Sequence, residues 1–302
     1  MASLIGNFSA LLVVLLSVGR ACSLKICSFN VQSFGEKKMS KPEVMDVIVE
    51  CIDRCDVMLI MEIKDGRGLA FPKLMAELNR KYGSTRNEFS FVISARLGRN
   101  TYKEQYAFIY RPRLVSVTSV YQYPDMQSGD EDVFAREPFI VRFSSPKTEV
   151  KDFVIIPIHT APEAAVREID ELYDVFLDVK QRWRPENFII MGDFNGACSY
   201  VPKKQWCNIR LRSNSSFLWL TDDRVDTTVK VSTRCAYDRV VLHGEKMIQA
   251  VKQTSVEVYD FKEAYGLTEE QVCIFLRLTA HYSPKVRPNL HITRYFIQYV
   301  IE

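Results

Sequence analysis

The sequence predicts an α/β layered fold in one compact unit, and three observations carry that reading. Short apolar runs rich in β-branched and aromatic residues alternate with amphipathic helical patterns along the chain. Of the 302 residues, 47% are hydrophobic, as in ordinary globular proteins, which excludes a disordered, collagen-like or coiled-coil chain. The 12 Gly and 12 Pro follow no period, so neither repeats nor a low-complexity linker divides it. With 40 Lys+Arg against 37 Asp+Glu the net charge is +3, too small for a histone-like polycation. Nucleic acid, if it is a partner, must be held by a local patch or through metal ions.

In chain order, the first element is the apolar run Leu11 to Val18, too short to span a membrane and followed by the small residues Gly19, Ala21, Cys22 and Ser23. It reads as a secretory signal peptide over residues 1–23, with the mature chain beginning near Leu24; a buried first strand is the alternative, since no Lys or Arg precedes the run. Residues 25–34, 56–63, 89–97, 105–111, 152–159, 188–194 and 236–243 read as strands. Pro42 opens a helix with Val44, Val47, Ile48, Cys51 and Ile52 on one face. Val166, Ile169, Leu172, Tyr173, Phe176, Val179 and Trp183 mark a second, stronger one.

Eight cysteines fit an oxidising compartment, and removing Cys22 with the leader leaves an odd count. No CxxC or Cys/His spacing suggests zinc. Cys51 and Cys55 read as core residues of a helix rather than a pair. Cys198 and Cys235 each adjoin a candidate site segment, and a bridge between them would close a loop long enough to stabilise by entropy. The sequon Asn214-Ser215-Ser216 agrees with secretion.

Polar residues fall at the ends of the apolar strands: Asn30, Glu62, His159, Asp193, Asn195 and Asp238. Each singly is an ordinary turn former, but strand ends of stacked sheets converge on one rim, where six such groups could hold a divalent cation and a phosphate together. Glu62 and Asp193 are hard oxygen ligands, and with the amides of Asn30 and Asn195 they suit Mg²⁺ or Mn²⁺ better than zinc. Hydrolysis of a phosphodiester needs a base for water and an acid for the leaving alkoxide, and His159 with Glu104 is the available pair. No GxSxG elbow, Walker loop, GxGxxG or HExxH competes.

KICSFNV with Asn30, MEIKD with Glu62, YKEQYAFIY with Glu104, IHTAP with His159, MGDFN with Asp193 and Asn195, and CAYDRVV with Asp238 stand in the order used by the deoxyribonuclease I family. Over residues 24–270 the chain resembles that branch of the endonuclease/exonuclease/phosphatase superfamily. The stretches Ser94 to Phe108, Cys198 to Arg212 and Asp226 to Lys230 are most similar to its gamma type. The resemblance implies a four-layer α/β sandwich, two packed mixed sheets flanked by helices. It implies Mg²⁺ (or Mn²⁺) at Asn30, Glu62 and Asp193, and catalytic roles for Glu104, His159, Asp193, Asn195 and Asp238. It implies DNA contacts at Lys64, Tyr102 and Arg136, structural Ca²⁺ near Asp132, Glu137, Asp226 and Thr228, and a disulfide between Cys198 and Cys235. The implied protein is a secreted, monomeric, Ca²⁺/Mg²⁺-dependent endodeoxyribonuclease. It leaves 5′-phosphate ends with little sequence preference and acts on DNA, chromatin included, with a nuclear pool left open.

After Leu267-Thr268-Glu269-Glu270 the chain departs from the family, which continues into a last core strand carrying Ser-Asp-His. No Asp-His pair occurs here; the nearest His to the expected place is His281, preceded by Ala280. Loss of that partner of Asp238 predicts a rate lower by 10² to 10⁴ as an order of magnitude. A missing core strand removes several buried side chains worth about 1.5–3 kcal/mol each. Either the tail builds a makeshift strand and His281 reaches the site, or the function is that of an impaired variant that keeps fold, metal site and DNA contacts. Residues 271–302, a divergent tail with four Lys/Arg, are too interrupted to span a membrane. Hydrolysis of lipid or inositol phosphates is a more distant reading.

Overall fold

The chain is described by a computed structural model over residues 23–84, 88–126, 128–129, 131–228, 233–252, 255–268, 272 and 295–301, the side chains of 295–299 excepted. The leader (1–22) and His281 lie outside these residues. One six-stranded sheet contains β1 (Leu24–Phe34), β2 (Val57–Ile63), β3 (Ser90–Ile93), β4 (Gln105–Tyr110), β11 (Glu257–Asp260) and β12 (Tyr295–Ile301) in the order β11-β12-β1-β2-β4-β3. The other contains β5 (Ser116–Gln122), β6 (Phe139–Ser144), β7 (Asp152–His159), β8 (Phe188–Asp193), β9 (Phe217–Trp219) and β10 (Asp238–His243) in the order β5-β6-β7-β8-β10-β9. Each sheet has one parallel pair at its centre, β1 with β2 and β7 with β8, among antiparallel neighbours.

Period-two alternation distributes each central strand between two cores, which is why these strands read as unbroken apolar runs. Met58 and Ile60 of β2 pack under helices α2 (Pro42–Asp53) and α3 (Ala70–Tyr82), while Val57, Leu59 and Met61 face the second sheet. In β8, Ile189 and Met191 face the first sheet, and Phe188 and Ile190 pack against Val175, Phe176 and Val179 of α4 (Ala165–Trp183). The layers are helix, sheet, sheet, helix: the predicted four-layer sandwich. Shorter helices α1 (Glu36–Met39), α5 (Arg210–Ser213), α6 (Glu245–Ala250) and α7 (Phe261–Ala264) sit at connections.

Two expectations are corrected. Cys55 is not simply a helix core residue: α2 stops at Asp53, and Cys55 bridges to Cys27 of β1, leaving Cys51 buried and unbridged. The helical spacing of Cys51 and Cys55 hid a partner 28 residues away. Nor is the last strand lost, because β12 pairs antiparallel with both β1 and β11 and buries Ile301 in the inter-sheet core. The nearly unbroken aromatic and β-branched run of Tyr295–Ile301, with Gln298 its one polar residue, suits a strand in that place. The second bridge, Cys198–Cys235, is present as the resemblance implies.

Candidate active site

The parallel and antiparallel registers bring site residues level across the second sheet. The Cα of Asp193, ending β8, pairs with that of His159, ending β7, and with that of Asp238, opening β10. In the first sheet, β1 breaks register against β2 between Asn30 and Phe34, and β2 breaks against β4 between Ile60 and Ile63. Such bulges re-aim side chains at a strand end. The left-handed residues Gln32, Ser33, Glu62 and Asn195, with φ of 42°, 53°, 58° and 44°, all lie here. Non-glycine residues rarely adopt that conformation, and they gather at functional sites.

The six strand-end residues and Glu104 form one cluster. Asn30 Nδ2 donates to Glu62 Oε1 at 3.1 Å and to Asp193 Oδ2 at 3.2 Å, bridging the two sheets. Ser33 N donates to Glu62 Oε2 at 2.9 Å. Glu104 Oε2 lies 2.9 Å from His159 Nδ1, so Nε2 is left to face Glu62 Oε1 at 3.8 Å and Asp193 Oδ2 at 4.0 Å. Asn195 Nδ2 donates to Thr160 O and its backbone N to Asp193 Oδ1, both at 3.0 Å, fixing the loop after β8.

Electrostatics separates the carboxylates. Burial opposes ionisation of Glu104, but His159 and Arg136 outweigh it and hold its pKa down to about 2. Burial and Arg136 work against protonation of His159, yet Glu104 and Glu62 prevail and raise its pKa. Asp238 is pushed well above the usual carboxylate range by burial and by the neighbouring Asp193, and its two oxygens have no hydrogen-bond partner of ordinary length among the described residues. The residues present fit a divalent cation. One oxygen of Glu62 and one of Asp193 share a single amide and a single imidazole nitrogen, and ligand atoms of Glu62, Glu104 and His159 lie within 4.8 Å of one another.

The remaining sequence-derived residues separate into two groups. Lys64 Nζ reaches Ser33 Oγ at 2.6 Å and contacts the hydroxyl of Tyr102, which is 53% exposed at the rim. Arg136 instead lies beneath the rim, donating from Nε and Nη2 to His159 O at 2.9 and 2.8 Å and pairing with Glu104 at 3.5 Å. Asp132 and Glu137 belong to a loop whose centre the sequence reading missed. Buried Asp125 accepts from Phe134 N through Oδ2, while its Oδ1 and Oε2 of Glu137 have no described partner. Repulsion from Glu137 and Asp132 adds to burial in raising the Asp125 pKa, while exposed Asp132 pairs with Arg99 at 3.2 Å. Its signal in the sequence was a third acid seven residues before Asp132. Asp226 Oδ1 already accepts from Thr228 N, Thr228 Oγ1 and Cys235 N, tying its turn to the Cys198–Cys235 bridge.

The Endonuclease/Exonuclease/phosphatase family profile matches residues 27–258. Human deoxyribonuclease gamma is 59% identical over 267 residues, covering 88% of this chain and 87% of that protein. Horse deoxyribonuclease-1 is 49% identical over 251 residues, covering 83% and 88%. Among solved structures, an endonuclease/exonuclease/phosphatase from Bacteroides vulgatus superposes with a TM-score of 0.57 at 14% identity, over 93% of this chain and 99% of that one. The match over both sheets and over the strand-end residues places the chain in the endonuclease/exonuclease/phosphatase family, on its deoxyribonuclease I branch.

Proposed function

We propose that the chain is a divalent-metal-dependent endodeoxyribonuclease that hydrolyses DNA phosphodiester bonds to 5′-phosphate and 3′-hydroxyl ends. The observation that carries this reading is the imidazole of His159, oriented by Glu104 and aimed at the oxygens of Glu62 and Asp193. Its support from similarity is the deoxyribonuclease gamma and deoxyribonuclease-1 relatives. A divalent cation held by Glu62 and Asp193 would neutralise charge on a phosphoryl oxygen. With Nδ1 engaged by Glu104, Nε2 of His159 is the nitrogen that accepts a proton from water as its oxygen bonds to phosphorus. The bond to the 3′ oxygen breaks and that oxygen takes up a proton. Asn30, donating to both metal-binding carboxylates, fixes the distance between the two sheets at the reacting phosphate.

Half-buried Lys64 and exposed Tyr102, in contact beside the site, are placed to touch the DNA backbone, a contact that carries no sequence information. The Asp125–Asp132–Glu137 loop supports a structural Ca²⁺, and the leader-like residues 1–23 support secretion. Among the described residues no helix is long and apolar enough to cross a membrane. Plasmid nicking with Mg²⁺ and Ca²⁺ tests the reading: chelation is expected to abolish cleavage, and Glu62→Ala to remove most of it. Robust nicking that survives both refutes the assignment, and metal-dependent DNA binding without nicking replaces the hydrolase by a binding protein of the same fold.

A further inference from the structure

Lys38, on the four-residue helix α1, is fully buried, and its Nζ donates to Val31 O at 2.6 Å and to Gln32 O. These carbonyls flank the left-handed pair Gln32 and Ser33, the residues that break the register of β1. The same turn directs Ser33 N onto Glu62 Oε2 and folds Gln32 N back onto Asn30 Oδ1, both at 2.9 Å. Asn30 is thereby turned so that its Nδ2 meets Glu62 and Asp193. A buried amine is costly unless its donors are used, and here two of its bonds go to the backbone of one bulge.

We propose that Lys38 is a positioning residue for the cation site, clamping the bulge that aims Asn30 and Ser33 at Glu62; this rests on the metal-dependent reading above. Lys38→Met keeps the apolar stem and removes the donors. Outer-shell partners of metal ligands commonly change affinity by about 10- to 100-fold, so Mn²⁺ binding measured by calorimetry is expected to weaken by about 10-fold or more. A second substitution, Gln32→Gly, lowers the cost of the left-handed turn and is expected to restore most of that loss in Lys38→Met, which a merely space-filling lysine would not allow. Unchanged Mn²⁺ affinity in Lys38→Met overturns the clamp alone. A double variant as weak as the single one, or failure of both to fold, also overturns it, assigning Lys38 to the core. Wild-type protein that takes up no Mn²⁺ overturns the metal reading together with the clamp.

At the opposite end of the second sheet, Asn214-Ser215-Ser216 joins α5 to β9. Phe217 pairs with His243, the far end of β10 from Asp238 and about 17 Å along the strand. Asn214 Oδ1 accepts from Ser216 N at 2.9 Å, both serines are exposed, and Asn214 Nδ2 has no hydrogen-bond partner among the described residues. The geometry assigns Asn214 as an N-glycan acceptor, resting on the secretory reading. The bond formed joins Nδ2 to the anomeric carbon of a polyprenyl-diphosphate-linked oligosaccharide. The bond broken frees the diphosphate, and the amide gives up one proton. The full chain, expressed in animal cells with its own leader or a substituted one, is expected to drop in mass on peptide-N-glycosidase treatment, and Asn214→Gln to abolish the drop. A substituted-leader protein that enters the secretory pathway without a glycan overturns the site. A glycan seen only with the substituted leader overturns the native leader and leaves the site standing.

Discussion

Asp193 has a neighbour at its own level on either side, and the two sides differ. Towards β7, His159 is held by Glu104, its backbone N–H donates to Tyr106 Oη at 2.9 Å, and Arg136 closes over its carbonyl. Towards β10, the backbone N–H of Asp238 donates to Thr227 Oγ1 at 3.1 Å, and the Thr227 hydroxyl is the one side-chain hydrogen-bonding group that supports its carboxylate among the described residues. Both flanks are buried, yet the pKa of Glu104 is held down by His159 and Arg136 while that of Asp238 is pushed up by burial and Asp193. Burial alone does not set the protonation of a site; the partners that the fold supplies decide it. The flank that the described residues complete is the one expected to carry proton transfer.

The sharpest break of that comparison is His159→Ala. It removes the only imidazole among the described residues that faces the carboxylates of Glu62 and Asp193, proposed to hold the metal, and kcat is expected to fall by about 10³- to 10⁴-fold. A fall of less than 10-fold as an order of magnitude would transfer the chemistry to the other flank. Asp238→Asn is the matching change, with an expected loss of about 10²-fold and unchanged or raised thermal stability, because the amide removes the buried like charge beside Asp193. If it costs as much as His159→Ala, the flanks carry equal shares. Replacing residues 271–302 with a Ser-Asp-His-bearing strand then locates the partner: a gain in rate means that the native tail leaves Asp238 without one.

The site was legible because its residues end long apolar runs, and the ends of stacked strands meet whatever their exact pairing. Glu104 and His159 needed only that β4 and β7 be recognised. Less legible were features that exist only after pairing. The bulge at Gln32–Ser33 and the role of Lys38 depend on how β1 meets β2, and Cys27–Cys55 on α2 folding back across the strand. Asp125 is one acid among several until the loop closes around it. The edge strands β5 and β9 went unread because one alternates half-exposed Ser, Thr and Val and the other has three residues. The divergence after Glu270 pointed to loss of a core strand, with a makeshift strand in the tail as the alternative; β12 is that strand, specified by the apolar run at the tail's far end and not by the family's motif.

The smallest effect probes whether the completed flank is as settled as its short contacts suggest. Glu168, buried in the first turn of α4, accepts from Ala161 N at 3.1 Å and Ala135 N at 3.4 Å, tying the loop after His159 to the segment before Arg136. Its Oε2 has no described partner, and burial lifts its pKa from 4.5 to about 7. Between those values the folded chain keeps a proton that the unfolded chain releases, so Glu168 lowers stability as pH rises, by on the order of 3 kcal/mol. The raised pKa of His159 also makes stability fall as pH rises, so wild type alone cannot separate the two. The difference between wild type and Glu168→Gln can, because the amide keeps an acceptor for both N–H groups and does not titrate. Urea unfolding at pH 5 and pH 7.5 is expected to show the variant gaining on wild type at the higher pH. Parallel behaviour at both would mean that Glu168 is charged throughout and that Arg136, which favours that form, outweighs its burial. The contrast between a carboxylate favoured by its partners at β7 and one disfavoured by its surroundings at β10 would then extend through α4.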